Sequence, residues 1–173
     1  MRRIDKPAAG EYAPRAATYV GLLPDDGMIL RHLRVNLKAT SDFILSLPEE
    51  KLDFRYAEGK WTIKEILAHV VDDERIYAYR ALRFARDDET ELPGFDQDAY
   101  ALYSGANRRG VKSLLREFAA VRRATVSLFE WLDDEALARA GVADGSRVTV
   151  RALAYHIAGH ELRHVNVIKE RYL

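Results

Sequence analysis

The chain has 173 residues, 48% hydrophobic and 31% charged, with 27 Lys+Arg against 27 Asp+Glu. That length fits one domain around a single core, and the zero net charge leaves no basic surplus to attract nucleic acid or a membrane surface. With no cysteine in the chain, disulfides, thiolate ligands and a cysteine nucleophile are excluded, so any metal must be held by His, Asp or Glu and any reacting thiol must come from a small molecule.

The first 25 residues, with Pro7, Pro14 and Pro24, read as an irregular arm. Residues 1–21 contain no apolar stretch of signal-peptide type, and no run reaches the roughly 20 apolar residues of a membrane span. A cytoplasmic location is the default expectation.

Residues 26–173 read as one helical domain. A first helix is predicted over about 26–47, with Leu30, Leu33, Leu37, Thr40, Ile44 and Leu47 at three-to-four spacing. A second spans about 62–87, opened by a capping box of Thr62 and Glu65, with Trp61 and Ile66 as a hydrophobic staple. A third, about 108–132, carries Val111, Leu114, Phe118, Val121, Thr125 and Leu128 on one face. The fourth, about 148–172, carries Val150, Leu153, Ile157, His160, His164 and Ile168. No period-two pattern is long enough for a strand, so an all-α four-helix bundle is expected. Residues 62–70 and 149–157 align without gaps, as do 47–52 and 132–137. This suggests either two similar hairpins or the ordinary likeness of bundle helices.

The connections 48–61 and 133–147 are of moderate length. Residues 88–107 are longer, and twenty extended residues reach about 66–72 Å where a 24-residue helix measures about 36 Å. This linker can return the full length of the bundle. It favours the second and third helices running parallel, and hence the second and fourth antiparallel.

Three of the five histidines, His156, His160 and His164, recur every fourth residue of the fourth helix and share one face. A buried imidazole needs a hydrogen-bond partner or a metal, and a His-x3-His pair can chelate one ion. His69 lies about 10 Å from the start of the second helix, and His156, His160 and His164 about 12, 18 and 24 Å from the start of the fourth. If those helices are antiparallel His69 meets His160 and His164; if parallel it meets His156. The linker selects His69, His160 and His164. His32 falls at the opposite end, as a surface or boundary residue. His156 is left either behind the ligands or as interior filling.

Three imidazoles suit zinc, nickel or iron, and three protein ligands leave a position open for chemistry. That position can take a water or a thiol and lower its pKa. Asp73 and Glu74 are candidates for orienting a ligand or acting as a base. The alternative for either is an ion pair with an interior arginine such as Arg80. Tyr77 is a further candidate pocket residue.

The stretches "KWTIKEILAHVVDDERIYAYRALRFARDD", "LPGFDQDAYA" and "ALAYHIAGHELRHVNVIKERYL" resemble the DinB/YfiT-like metalloenzyme superfamily over nearly the whole chain after the arm. The resemblance implies an up-down-down-up four-helix bundle, often a homodimer, with His69, His160 and His164 as ligands of a divalent transition metal. It also implies a small-molecule substrate. Transferases and isomerases using a low-molecular-weight thiol are among its characterised relatives, and hydrolase is the other activity it suggests. The competing expectation is a non-enzymatic, stress-associated bundle whose metal site is structural or vestigial.

Overall fold

A computed structural model of the chain describes residues 2–173. Its helices are α1 (Ala17–Val20), α2 (Ile29–Ser46), α3 (Glu49–Leu52), α4 (Ile63–Ala85), α5 (Gln97–Tyr103), α6 (Val111–Glu130), α7 (Asp134–Ala138) and α8 (Val150–Arg171). The four long ones, α2, α4, α6 and α8, are the four expected helices within a few residues at each end. Thr62 caps α4 in a complete capping box with Glu65, and Thr149 caps α8 through the amide of Ala152.

Cross-helix contacts fix the directions. Thr62 meets Asn107 and Arg75 meets Glu117, so α4 and α6 run parallel. Thr40 meets Glu161 and Phe43 meets Lys169, so α2 and α8 run parallel. His69 meets His160 while Tyr77 lies on His156, so α4 and α8 are antiparallel. The arrangement is up-down-down-up, and the linker after α4 does return the chain to the end from which α4 began.

The interior is two apolar clusters. One contains Leu30, Leu33, Phe84, Phe129, Leu153 and Tyr155; the other contains Ile44, Ile63, Ile66, Leu114, Phe118 and Ile168. A buried polar knot ties all four long helices together. Arg122 of α6 donates from Nε and Nη2 to the Glu74 carboxylate of α4, both at 2.9 Å, and from Nη1 to the Leu33 carbonyl of α2 at 2.6 Å. Its Nη2 also lies 2.8 Å from Glu161 of α8, whose other oxygen accepts from Thr40 at 2.6 Å. Burial raises the Glu161 carboxyl and Arg122 opposes that rise.

Two sequence expectations need correction. Residues 140–147, read as loop, and 148–149, read as the start of the fourth helix, form an antiparallel hairpin of β1 (Ala140–Ala143) and β2 (Ser146–Thr149), turning through Asp144 and Gly145 at positive φ. Four residues per strand are too few to show an alternation. The arm, expected to be irregular, carries a 3-10 turn (Pro14–Ala16) and α1, and it is packed. Ile4, Val20 and Leu23 are buried in the first cluster, Tyr155 donates its hydroxyl hydrogen to the Ile4 carbonyl, and Glu11 accepts from Thr149 and Arg151.

Replacing Arg122 with methionine leaves two carboxylates buried without their cation, a loss of about 3–5 kcal/mol. A carboxyl raised in the fold costs stability once the unfolded chain ionises, above about pH 4.3, and costs nothing below it. Urea denaturation of Arg122→Met should therefore show its largest deficit at neutral pH and a shrinking one toward pH 4.

Candidate metal centre

His69 comes from the second turn of α4, while His160 and His164 stand one turn apart on the facing side of α8. The Nε2 atoms of His69 and His164 each lie 3.1 Å from Nε2 of His160. One ligand atom from each of the three residues falls within 4.8 Å of the other two. Nitrogens bound to one tetrahedral ion at about 2.0–2.1 Å stand about 3.3 Å apart, so the spacing fits. The donors also fit chemically. A neutral imidazole nitrogen carries either one hydrogen or one in-plane lone pair, so His160 Nε2 can satisfy one of its two nitrogen neighbours and not both. A cation among the three nitrogens removes the conflict.

Burial keeps these rings neutral, the state a ligand requires. It lowers the His69 pKa and takes His160 well below the ordinary imidazole value. His164 is pushed down to about 3, first by burial and then by His69. Asp73, one turn after His69, sets its Oδ2 3.3 Å from His160 Nδ1 and 3.4 Å from His156 Nε2. A carboxylate beside Nδ1 favours a proton on that nitrogen, the tautomer that leaves Nε2 bare for a metal. Burial acts to raise the Asp73 carboxyl, but His160 and His156 outweigh it and hold it well below the usual range.

The candidates thus separate. His69, His160, His164 and Asp73 are brought together. Glu74 is turned the other way, its carboxylate held by Arg122, and the expected arginine partner, Arg80, holds the Pro93 carbonyl instead. His156 stands behind His160 in contact with Asp73, stacked on Tyr77 at 3.7 Å between centroids. His32 pairs with Asp26, away from the cluster.

Two aromatic residues complete the surroundings. Trp61, expected as a staple, lies tilted 4.7 Å from His69 and stacked 6.3 Å from His164. Tyr19 of α1 meets His156 and His160 edge-on at 5.0 and 5.4 Å. Tyr19 was not singled out from sequence, but its seat was visible there as Gly159, a glycine inside a helix. A Cβ at Gly159 would meet the Tyr19 carbonyl oxygen at 2.2 Å, so the arm approaches α8 where no side chain intervenes.

Beside His160 opens a cavity of 240 Å³, whose wall includes Tyr19, Asp73, Tyr77, Arg80, Phe95 and His156. The "LPGF" segment forms part of this wall. Leu92 donates to Val142 and accepts from Asp144, bridging to β1, and Gly94 lets the chain close on the Asp144 side chain. A second groove, lined by Tyr56, Trp61, Leu102 and Tyr172, reaches His164 from the other side.

A four-helix bundle with three neutral imidazoles converging in its interior has the make-up of a metalloprotein. Residues 32–168 match the DinB superfamily, and the chain belongs to that family. It is 27% identical over 142 residues, 81% of either chain, to a protein of Oceanobacillus iheyensis named as a candidate metal-dependent hydrolase. Its fold is that of YfiT from Bacillus subtilis, with a TM-score of 0.72 over 95% of this chain and 90% of that one at 17% identity. YfiT is described as a probable metal-dependent hydrolase with an unusual four-helix bundle topology. Among the described residues no helix is long and apolar enough to cross a membrane.

Two measurements follow. An imidazole with a depressed folded pKa is neutral in the fold and protonated in the unfolded chain below about pH 6.5. Its stability contribution is full above that pH and is lost as pH falls toward the folded value. Metal-free protein should lose stability steadily from pH 7 to pH 4 in denaturant titrations, and the slope should flatten in His164→Ala. Helix propensity alone predicts that Gly159→Ala gains about 0.8–1 kcal/mol. Displacement of Tyr19 predicts the reverse, with faster proteolysis after Arg15. A more stable variant with an equally protected arm would refute the docking.

Proposed function

We propose that the protein is a metal-dependent enzyme in which His69, His160 and His164 hold one divalent transition metal, with hydrolysis as its reaction. The observation that carries this reading is the pair of 3.1 Å contacts at His160 Nε2, which imidazoles alone leave half satisfied. The names of the relatives support the same class. A divalent metal at three imidazoles supplies Lewis acidity, lowering the pKa of a water or thiol at an open position or polarising a carbonyl.

The chain's own groups set the conditions for that chemistry. Asp73 favours the His160 tautomer protonated at Nδ1 and keeps a negative charge beside the site. Its other neighbour, His156, borders the cavity. Tyr77, with its hydroxyl pushed up to about 12 by burial and then by Asp73, remains a neutral donor. Trp61 and Tyr19 pack on the imidazoles and reduce their contact with bulk water, which strengthens the charge interactions there. A thiol-transfer reaction would use the same open position with an external small-molecule thiol, the chain having no cysteine of its own.

Protein purified without a nickel column should carry close to one equivalent of zinc, nickel or iron per chain by elemental analysis. His160→Ala and His69→Ala should lose it while keeping the helical circular dichroism signal. The four apolar stripes fold the bundle by burial worth about 25 cal/mol per Å², and the metal adds only its binding linkage. Ester and amide panels, with and without low-molecular-weight thiols, then separate hydrolase from transferase. A chain that unfolds on chelation has a structural site, and one that never takes up metal ends this reading.

A further inference from the structure

The cavity beside His160 contains a buried charge that the metal chemistry does not use. Arg80, on the same helix as His69 and Asp73, is 4% exposed. Its guanidinium lies over the Tyr77 ring at 4.8 Å and Nη2 donates to the Pro93 carbonyl at 2.9 Å. Nε is buried with no acceptor. Among the described residues no carboxylate comes within 4.0 Å of it, although Arg80 lines the cavity together with two aspartates. Both aspartates are engaged elsewhere. Asp144 is held by Arg15 at 2.6 Å, and Asp73 faces His156 and His160.

The protein's other deeply buried arginine shows what such a group normally requires. Arg122 has two carboxylates and a carbonyl. Burying a guanidinium without a counter-ion costs several kcal/mol, and one carbonyl and one ring face offset only part of it. A carbonyl strut to the Pro93 loop needs a donor but no charge. An unmatched cation in the wall of a cavity that adjoins a reactive centre is the arrangement that selects an anionic ligand.

We propose that Arg80 recognises a carboxylate on the substrate, so that the enzyme acts on carboxylate-bearing compounds. This builds on the reading of the three histidines as a catalytic metal site. Arg15, the other arginine of the cavity wall, is already paired with Asp144, which leaves one planar fork without a counter-ion; that suits a carboxylate, whereas a phosphoryl group commonly gathers several cations. Seven residues separate Asp73 from Arg80, about 10 Å of helix rise, so the carboxylate and the reacting bond belong to opposite ends of an extended molecule. Tyr77, between them, lines the same cavity, its two ring faces taken by His156 and Arg80. The 240 Å³ of the cavity admits a molecule of this kind and excludes a folded polymer.

Metal-free protein isolates the test from metal coordination. Benzoate, its neutral counterpart benzamide, and phenyl phosphate are titrated by calorimetry into wild type, Arg80→Gln, which keeps a donor for the Pro93 carbonyl, and Arg80→Lys, which keeps the charge. Circular dichroism and zinc uptake are measured on the same samples. The expected result is benzoate binding at least tenfold tighter than benzamide to wild type. That preference should be abolished in Arg80→Gln and partly kept in Arg80→Lys, with zinc uptake unchanged. Equal binding of benzoate and benzamide to wild type overturns the proposal without any variant. So does a preference that survives Arg80→Gln, or phenyl phosphate binding more tightly than benzoate. If zinc fails to bind and the benzoate preference persists, the metal reading falls and the carboxylate site stands. If zinc binds and the preference is missing, the reverse holds.

Discussion

His160 Nε2 has two nitrogen neighbours at 3.1 Å and one hydrogen or one lone pair to offer them. The whole arrangement serves that contact. It requires α4 and α8 to lie antiparallel and side by side, with His69 level with the His160–His164 turn. Antiparallel α4 and α8 in turn require the long return between α4 and α6. It also requires neutral rings, hence the apolar burial that depresses their pKa values. Among the described residues, Asp73 is the carboxylate that meets these histidines, at the atom where a negative charge favours the useful tautomer. The knot around Arg122 has a complementary role. It holds Glu74 and Glu161, neighbours in sequence of Asp73 and His160, on Arg122, and their carboxylates stay out of the cavity wall.

The sequence made part of this legible. Long helices announce themselves through apolar periodicity, and all four appear where the stripes place them. A linker length and a rise per residue were enough to choose His69 over any pairing with His156, because ligand height and helix direction are one geometric question. What local pattern does not carry is pairing between buried charges. Glu74 sits on an apolar stripe, and nothing near it in the chain says that its partner is Arg122, forty-eight positions away, and not Arg80 on its own helix. The hairpin at 140–149 was invisible for a different reason: its strands are shorter than the window in which alternation can be told from chance.

The bundle alone would leave the site bare along one side. Three irregular pieces close it: the arm through Tyr19, the "LPGF" segment through its bridge to β1, and the hairpin on which that segment rests. None has the long-period pattern by which the helices declare themselves, yet these pieces shape the cavity. Variation in shape and selectivity can therefore accumulate in them while the histidines and the stripes stay fixed, as expected when a scaffold positions a site and loops define it.

The docked arm also has a consequence for how the molecule is made. Ile4 is held by Tyr155, Glu11 by Thr149 and Arg151, and Tyr19 rests on Gly159. During synthesis each of these early residues waits for a partner more than 130 positions later. The bundle's apolar segments can collapse as they emerge, but the cover over His156 and His160 can form only when α8 is complete. Contacts of such long separation are the slow ones in folding, so the imidazoles pass through a period in which they are gathered but still open to solvent. His164 keeps its groove in the finished protein, so docking of the arm changes access to the cluster from the His156 and His160 side alone.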